Sequence, residues 1–112
     1  FVIRGNPDAR RDFVFAGDVA AIFRESLKVT GLTDAMNLGH GETTSVRGLA
    51  EAAVAASGRP RAIVVDGPPG GGVAVRQMRT EKLRRMFPEV AFTSPTEGLK
   101  ATLAWYRHAL SV

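Results

Sequence analysis

Apolar positions change period several times along the chain, and each change marks an element. Phe1-Val2-Ile3-Arg4 opens as a short strand, and Gly5-Asn6-Pro7-Asp8 supplies turn chemistry, because proline presets φ and its neighbours tolerate tight geometry. Arg11 to Phe15 predicts a second extended segment. Val19, Ala20, Ile22, Phe23, Ser26 and Leu27 then draw one apolar stripe at i, i+3, i+4, i+7 spacing, a helix that Asp18 is placed to cap and Gly31 to end. Ala35-Met36-Asn37-Leu38 predicts a short buried strand running into a Gly39-His40-Gly41 turn. Ser45 caps a second helix whose face is Val46, Leu49, Ala50, Ala53 and Val54, and Gly58 with Pro60 stops it.

The second half repeats the alternation. Ala62 to Asp66 is rich in β-branched residues and predicts a strand, followed by a loop from Gly67 to Gly72 too rich in proline and glycine to be helical. Val73 to Met78 is expected to be extended, and Thr80 to Phe87 to be a short basic helix closed by Pro88. Ser94-Pro95-Thr96-Glu97 combines a hydroxyl cap, a proline at the first helical position and a glutamate at the capping-box position. The helix it opens is expected to bury Leu99, Leu103, Tyr106 and Leu110, with Trp105 beside them and Arg107 and His108 at its negative end. The class is α/β, short strands with three to four helices. Opening in mid-strand, without a cap or polar lead-in, the chain reads as a piece of something longer.

Composition narrows the function classes. At 112 residues and 45% hydrophobic, the chain suits one compact domain or part of one. No apolar run approaches the roughly 20 residues that span a bilayer, and Phe1 to Gly5 lack the regions of a signal peptide. Without cysteine there is no disulfide framework and no thiolate nucleophile, which fits a reducing, cytoplasmic setting with no membrane partner. The net charge of +4 and pI near 10.3 invite a nucleic-acid reading. Its distribution argues against one: basic residues are interleaved with acids, and no aromatic run accompanies the densest cluster, Arg76, Arg79, Lys82, Arg84 and Arg85.

Recognisable catalytic motifs are missing. Gly39-His40-Gly41 begins like a dinucleotide fingerprint, but Thr44 stands where the third glycine is needed for close helix packing. Gly70-Gly71-Gly72 is followed by no Gly-Lys-Ser/Thr and is not a P-loop. The two histidines, His40 and His108, have no metal-ligand spacing, and no G-x-S-x-G elbow exists; Ser45 reads as a cap.

Three stretches in order nevertheless resemble the C-terminal part of the extended short-chain dehydrogenase/reductases, the NAD-dependent epimerase/dehydratase family that includes GDP-fucose synthase and UDP-galactose 4-epimerase. Arg11-Asp12-Phe13-Val14-Phe15-Ala16-Gly17-Asp18-Val19 is similar to the family's R-D-F-V-x-V-x-D-V. The segment from Asn37 to Leu49 is similar to its N-x-G-x-G-x-x-x-S-V-x-E-L, and Glu97-Gly98-Leu99 with Trp105-Tyr106 to its terminal E-G-L and W-Y. The chain departs from the pattern at Gly48, where the family usually has Glu, at Arg79, where it has Asp, and near Phe87, where it has Trp.

The resemblance implies a substrate-binding subdomain over residues 1–112 of a Rossmann-type enzyme acting on a nucleotide-diphosphate sugar by oxidoreductase, isomerase or lyase chemistry. Arg11, which opens the first motif, would hold the nucleotide's diphosphate, a task suited to a planar, permanently charged fork; a structural pairing with a carboxylate is the alternative. Arg76 is a second substrate-binding candidate, aligned across the gap near Gly70. No catalytic residue is assigned. The family's cofactor fingerprint and Tyr-x-x-x-Lys pair lie upstream of these motifs, and Leu110, not lysine, follows Tyr106 at four residues. NAD or NADP would therefore be bound by an N-terminal Rossmann domain not included in these residues, with none held by this segment alone. Apolar helix faces that would pack on that domain are expected to leave the isolated chain either self-associating, as in a homo-oligomer, or only marginally stable. A stand-alone nucleotide-sugar binding or regulatory module without catalysis is the other reading.

Overall fold

In the computed structural model, which describes residues 1–68 and 72–110, two small sheets carry the chain between its helices. Strand β1 (Val2–Arg4) pairs in parallel with β4 (Val64–Asp66), placing Val2 opposite Val64 and Arg4 opposite Asp66. The second sheet has the order β3-β2-β5: β2 (Arg10–Arg11) runs antiparallel to β3 (Thr44–Ser45) and parallel to β5 (Val75–Arg76). Four helices complete the described α/β fold: α1 (Ala16–Ser26), α2 (Val46–Ser57), α3 (Glu81–Met86) and α4 (Pro95–Ala109).

Local chemistry accounts for most boundaries. Ser45 Oγ accepts from Gly48 N at the start of α2, and Gly58, left-handed at φ 67°, ends it. Ser94 Oγ accepts from Glu97 N, and Pro95 occupies the first turn of α4. The Glu97 side chain turns instead to Lys100 at 2.8 Å, so the capping box is half made.

Other expectations are corrected. Helix α1 starts three residues early, with Phe15 at its N-cap, and Asp18 does not cap: its two oxygens accept from Thr93 N and Thr93 Oγ1, each at 2.7 Å. That bond ties the first turn of α1 to the approach to α4. Leu27, not Gly31, closes α1; Gly31, with φ 79°, belongs to a later turn. Residues 35–38 form no strand. Their polar groups go to side-chain bonds, Lys82 Nζ to Ala35 O and Asn37 Nδ2 to Arg79 O, while Met36 and Leu38 pack on the core. The loop expected over Gly67 to Gly72 falls partly outside the described residues.

Ile22 of α1 and Leu83 of α3, each 1% exposed, centre the core with Phe87, enclosed by Val29, Met36, Leu38, Met86, Val90 and Phe92. Helix α2 packs on α4, and Arg107 donates to Ser57 O across their ends. Gly98 makes the approach of α4 to Phe15 feasible, since a Cβ there would stand 3.2 Å from the Phe15 ring. The outer half of α4 departs from expectation: Trp105 and Leu110 are 63% exposed and Tyr106 half exposed. Phe1, Val2, Val64, Phe23 and Leu27 are bare as well. The described chain is a slab, 49 × 39 × 18 Å, with a radius of gyration of 16.5 Å. A compact domain of this length is expected near 13 Å, so the chain is more open than one.

Candidate functional site

The site is built on β2. Arg10 N donates to Ala74 O at 2.8 Å and Asp12 N to Arg76 O at 3.1 Å, while Val46 N donates to Ala9 O at 3.0 Å on the other edge. This ladder sets Arg11 opposite Arg76 on one side and Thr44 on the other. Partners in register project from the same face of a sheet, and neighbouring strands lie about 4.8 Å apart. Arg11 and Arg76, the two substrate candidates, are thus brought side by side.

The adjacent arginines have different tasks. Arg10 sits on the opposite face and commits its fork to Thr43, Nε donating to Oγ1 at 3.0 Å and Nη2 to the carbonyl. Arg11 uses only Nη1, donating to Arg10 O at 2.7 Å and Ala74 O at 3.4 Å. Among the described residues no carboxylate lies within ion-pair distance of Arg11, Arg76 or Arg4. Arg4 and Arg11 line one cleft of about 280 Å³ with Gly5, Val46 and Gly72. Asp66 stands beside Arg4 in register, so the charge free to attract an anion at this cleft is that of Arg11, whose fork with Nε and Nη2 open can take two oxygens at once.

Asp12 works in the opposite sense. Its Oδ1 accepts from His40 N at 2.8 Å, and its Oδ2 accepts from Gly41 N at 2.9 Å and Met78 N at 3.3 Å. Gln77 Nε2 adds a bond to Gly41 O at 2.6 Å. The close approach requires glycine: a Cβ on Gly39 would stand 2.7 Å from Met78 Cβ and 2.8 Å from Asp12 Oδ2, and Gly41 has φ 81°. The Gly39-His40-Gly41 turn consequently offers no free N–H pair to a phosphate. Its amides already bind a carboxylate of the chain itself.

A larger cleft, about 510 Å³, lies elsewhere, between α1 and the segment after α3. Both of its cations pair with Glu25: Lys28 donates to it at 2.7 Å, and this bond, before any other influence, holds the Glu25 carboxyl below its ordinary value, while Arg24 lies 3.3 Å away. His40 rests against the Phe92 ring, 5.4 Å between centroids, and its buried Nδ1 makes no hydrogen bond, with Glu42 Oε2 4.0 Å away. Among the described residues no group of three or more His, Asp or Glu side chains could hold a metal ion, and no helix is long and apolar enough to cross a membrane. The triglycine at Gly70 lies mostly outside the described residues.

Sequence reasoning did not single out Arg4 or Asp12. Arg4 had a signal, a charged residue ending a strand before Gly5. Asp12 stood inside the first motif, but only the fold shows which amides it meets.

No protein-family model matches the chain. Solved structures do. GDP-L-fucose synthetase from Naegleria fowleri, bound to NADP, superposes with a TM-score of 0.89 at 18% identity over 99% of this chain and 35% of that one. UDP-glucose 4-epimerase from Thermotoga maritima, with UDP-glucose, gives 0.80 at 26% identity over 97% and 35%. GDP-mannoheptose C4 reductase from Campylobacter jejuni, with NADP, gives 0.78 at 20% over 95% and 34%. The chain spans about a third of the length of each. Its fold is that of the C-terminal portion of extended short-chain dehydrogenase/reductases, as the order of the motifs implied.

Proposed function

We propose that residues 1–112 are the C-terminal, substrate-binding part of an NAD(P)-dependent nucleotide-sugar epimerase, dehydratase or reductase, in which Arg11 and Arg76 hold the diphosphate. The observation that carries the reading is their registered placement on one sheet face with no acidic partner among the described residues. A diphosphate presents oxygen pairs that match a guanidinium fork, and a second guanidinium one strand away extends the contact. The fold supports the same reading, since similar chains act on UDP- and GDP-linked sugars.

In such an enzyme a nicotinamide supplies hydride transfer at a sugar carbon. The residues present do not fit that cofactor. The His40 and Gly41 amides are taken by Asp12, and Tyr106 lies half exposed on α4 with no lysine four residues on. We assign cofactor binding and the proton-transferring pair to a preceding Rossmann domain, and to this chain the binding and orientation of the nucleotide. The bare apolar faces favour this over a stand-alone binding module.

Paired titration tests the assignment. In the complete protein, Arg11→Ala should weaken nucleotide-sugar binding at least tens of times, the loss of one partner of a desolvated charge pair being roughly 2–5 kcal/mol. Arg11→Lys should weaken it less, and nicotinamide affinity should not move. Unchanged sugar-nucleotide affinity with reduced thermal stability would make Arg11 a structural residue.

A further inference from the structure

We infer that Asp12 is the positioning residue of the arginine pair, a carboxylate that sets the separation of Arg11 and Arg76 by binding the backbone around both. The inference rests on the diphosphate reading above. Asp12 follows Arg11 directly, and in extended backbone successive side chains leave on opposite sides, so the fork stays free while the carboxylate turns inward. There its two oxygens accept three backbone N–H bonds, two from the turn at His40 and Gly41 and one from Met78, two residues beyond Arg76.

Main-chain and side-chain bonds act together. Asp12 N donates to Arg76 O at 3.1 Å while Met78 N returns to Asp12 Oδ2, so one residue closes a ring with the strand that carries Arg76. The strands themselves are two residues long and cannot define a spacing unaided. Gln77 Nε2, bound to Gly41 O, braces the same turn against the same strand. A ligand with fixed distances between its oxygens gains from two forks only if their separation is also fixed.

No other side chain replaces Asp12 without loss. Asparagine has one acceptor oxygen, and its amide would point N–H at N–H on the other side, sacrificing the His40 bond or the Gly41 and Met78 bonds. Asp18 provides a matched control: it too accepts from a backbone amide, that of Thr93, but is not part of the sheet bearing the arginines.

The experiment uses the full-length protein and inorganic pyrophosphate as the probe. Asp12→Asn should weaken pyrophosphate binding about tenfold, the low end of the loss seen at metal sites when a group that orients a ligating side chain is removed. It should also shift the Nε–Hε NMR resonances of Arg11 and Arg76. Asp18→Asn, with an equal or larger fall in thermal stability, should leave affinity and both resonances unchanged. Wild-type affinity in Asp12→Asn, unmoved arginine resonances, or equal losses in the two variants would overturn the inference. If Arg11→Ala binds pyrophosphate like wild type, the diphosphate reading fails, and the arginine resonances of Asp12→Asn still decide whether Asp12 positions them. Should Asp12→Asn not fold, Asp12→Glu, which moves both acceptors one methylene outward, carries the same expectation at smaller size.

Discussion

Asp18→Ala should be among the most destabilising surface-accessible substitutions in this chain. The Asp18 carboxylate accepts from Thr93 N and Thr93 Oγ1, each at 2.7 Å, and joins α1 to the segment leading into α4. Hydrogen bonds to a charged group contribute about 1.5–3 kcal/mol each, and removing the acceptor strands the Thr93 amide. Asp18 also lies in the first turn of α1, where a negative charge adds about 0.3–1 kcal/mol. Partial solvation of the carboxylate brings the total below the sum of these terms, to about 2–4 kcal/mol, and a domain of this size loses about 4 °C of Tm per kcal/mol. Circular dichroism should therefore show melting about 8–16 °C lower. Thr93→Val removes the hydroxyl bond and keeps the amide bond, so the double variant should show coupling of about 1 kcal/mol. Additivity within about 0.3 kcal/mol, or a Tm change below about 2 °C for Asp18→Ala, would refute the link.

Gly39→Ala should lower stability by about 1–3 kcal/mol, read as a reduced urea midpoint, because its new methyl would meet Met78 and Asp12; an unchanged midpoint would mean that the turn relaxes freely. The 112-residue chain by itself should sediment as concentration-dependent oligomers through Trp105, Leu110 and the bare β1–β4 face, whereas a monomer at all concentrations would favour the stand-alone module.

Helix starts were legible wherever a residue acts on its own neighbours. Ser45 and Ser94 cap within three residues, and those interactions survive any tertiary arrangement. Asp18 misled because its oxygens had a stronger use 75 residues away, and a local rule cannot weigh a distant amide. Residues 35–38 have strand-like composition, but side chains of Lys82 and Asn37 supply bonds that a neighbouring strand would otherwise make. Tyr106 and Leu110 follow a helical stripe faithfully, yet a stripe specifies only which face is apolar and not whether anything covers it. Arg11 stands out in its motif, but its placement opposite Arg76 depends on a register between two-residue strands that no periodicity encodes.

The parallel pairing of β1 with β4 has a kinetic consequence. Val2 meets Val64 only after a loop of about sixty residues closes, an entropic cost of about 3–4 kcal/mol before any constant term. Against it stand three register positions in a two-stranded sheet, a structure marginal in water. The Ile22–Leu83 contact closes a loop of similar length but buries both side chains in return, whereas Val2 and Val64 stay exposed, so that core and the α2–α4 pair would assemble first and β1 would join last. A further strand laid beside either partner would add ladder bonds without a second closure of that loop. The order of β1 and β4 is then settled by whatever arrives next to them, and their pairing follows the folding of the rest instead of guiding it.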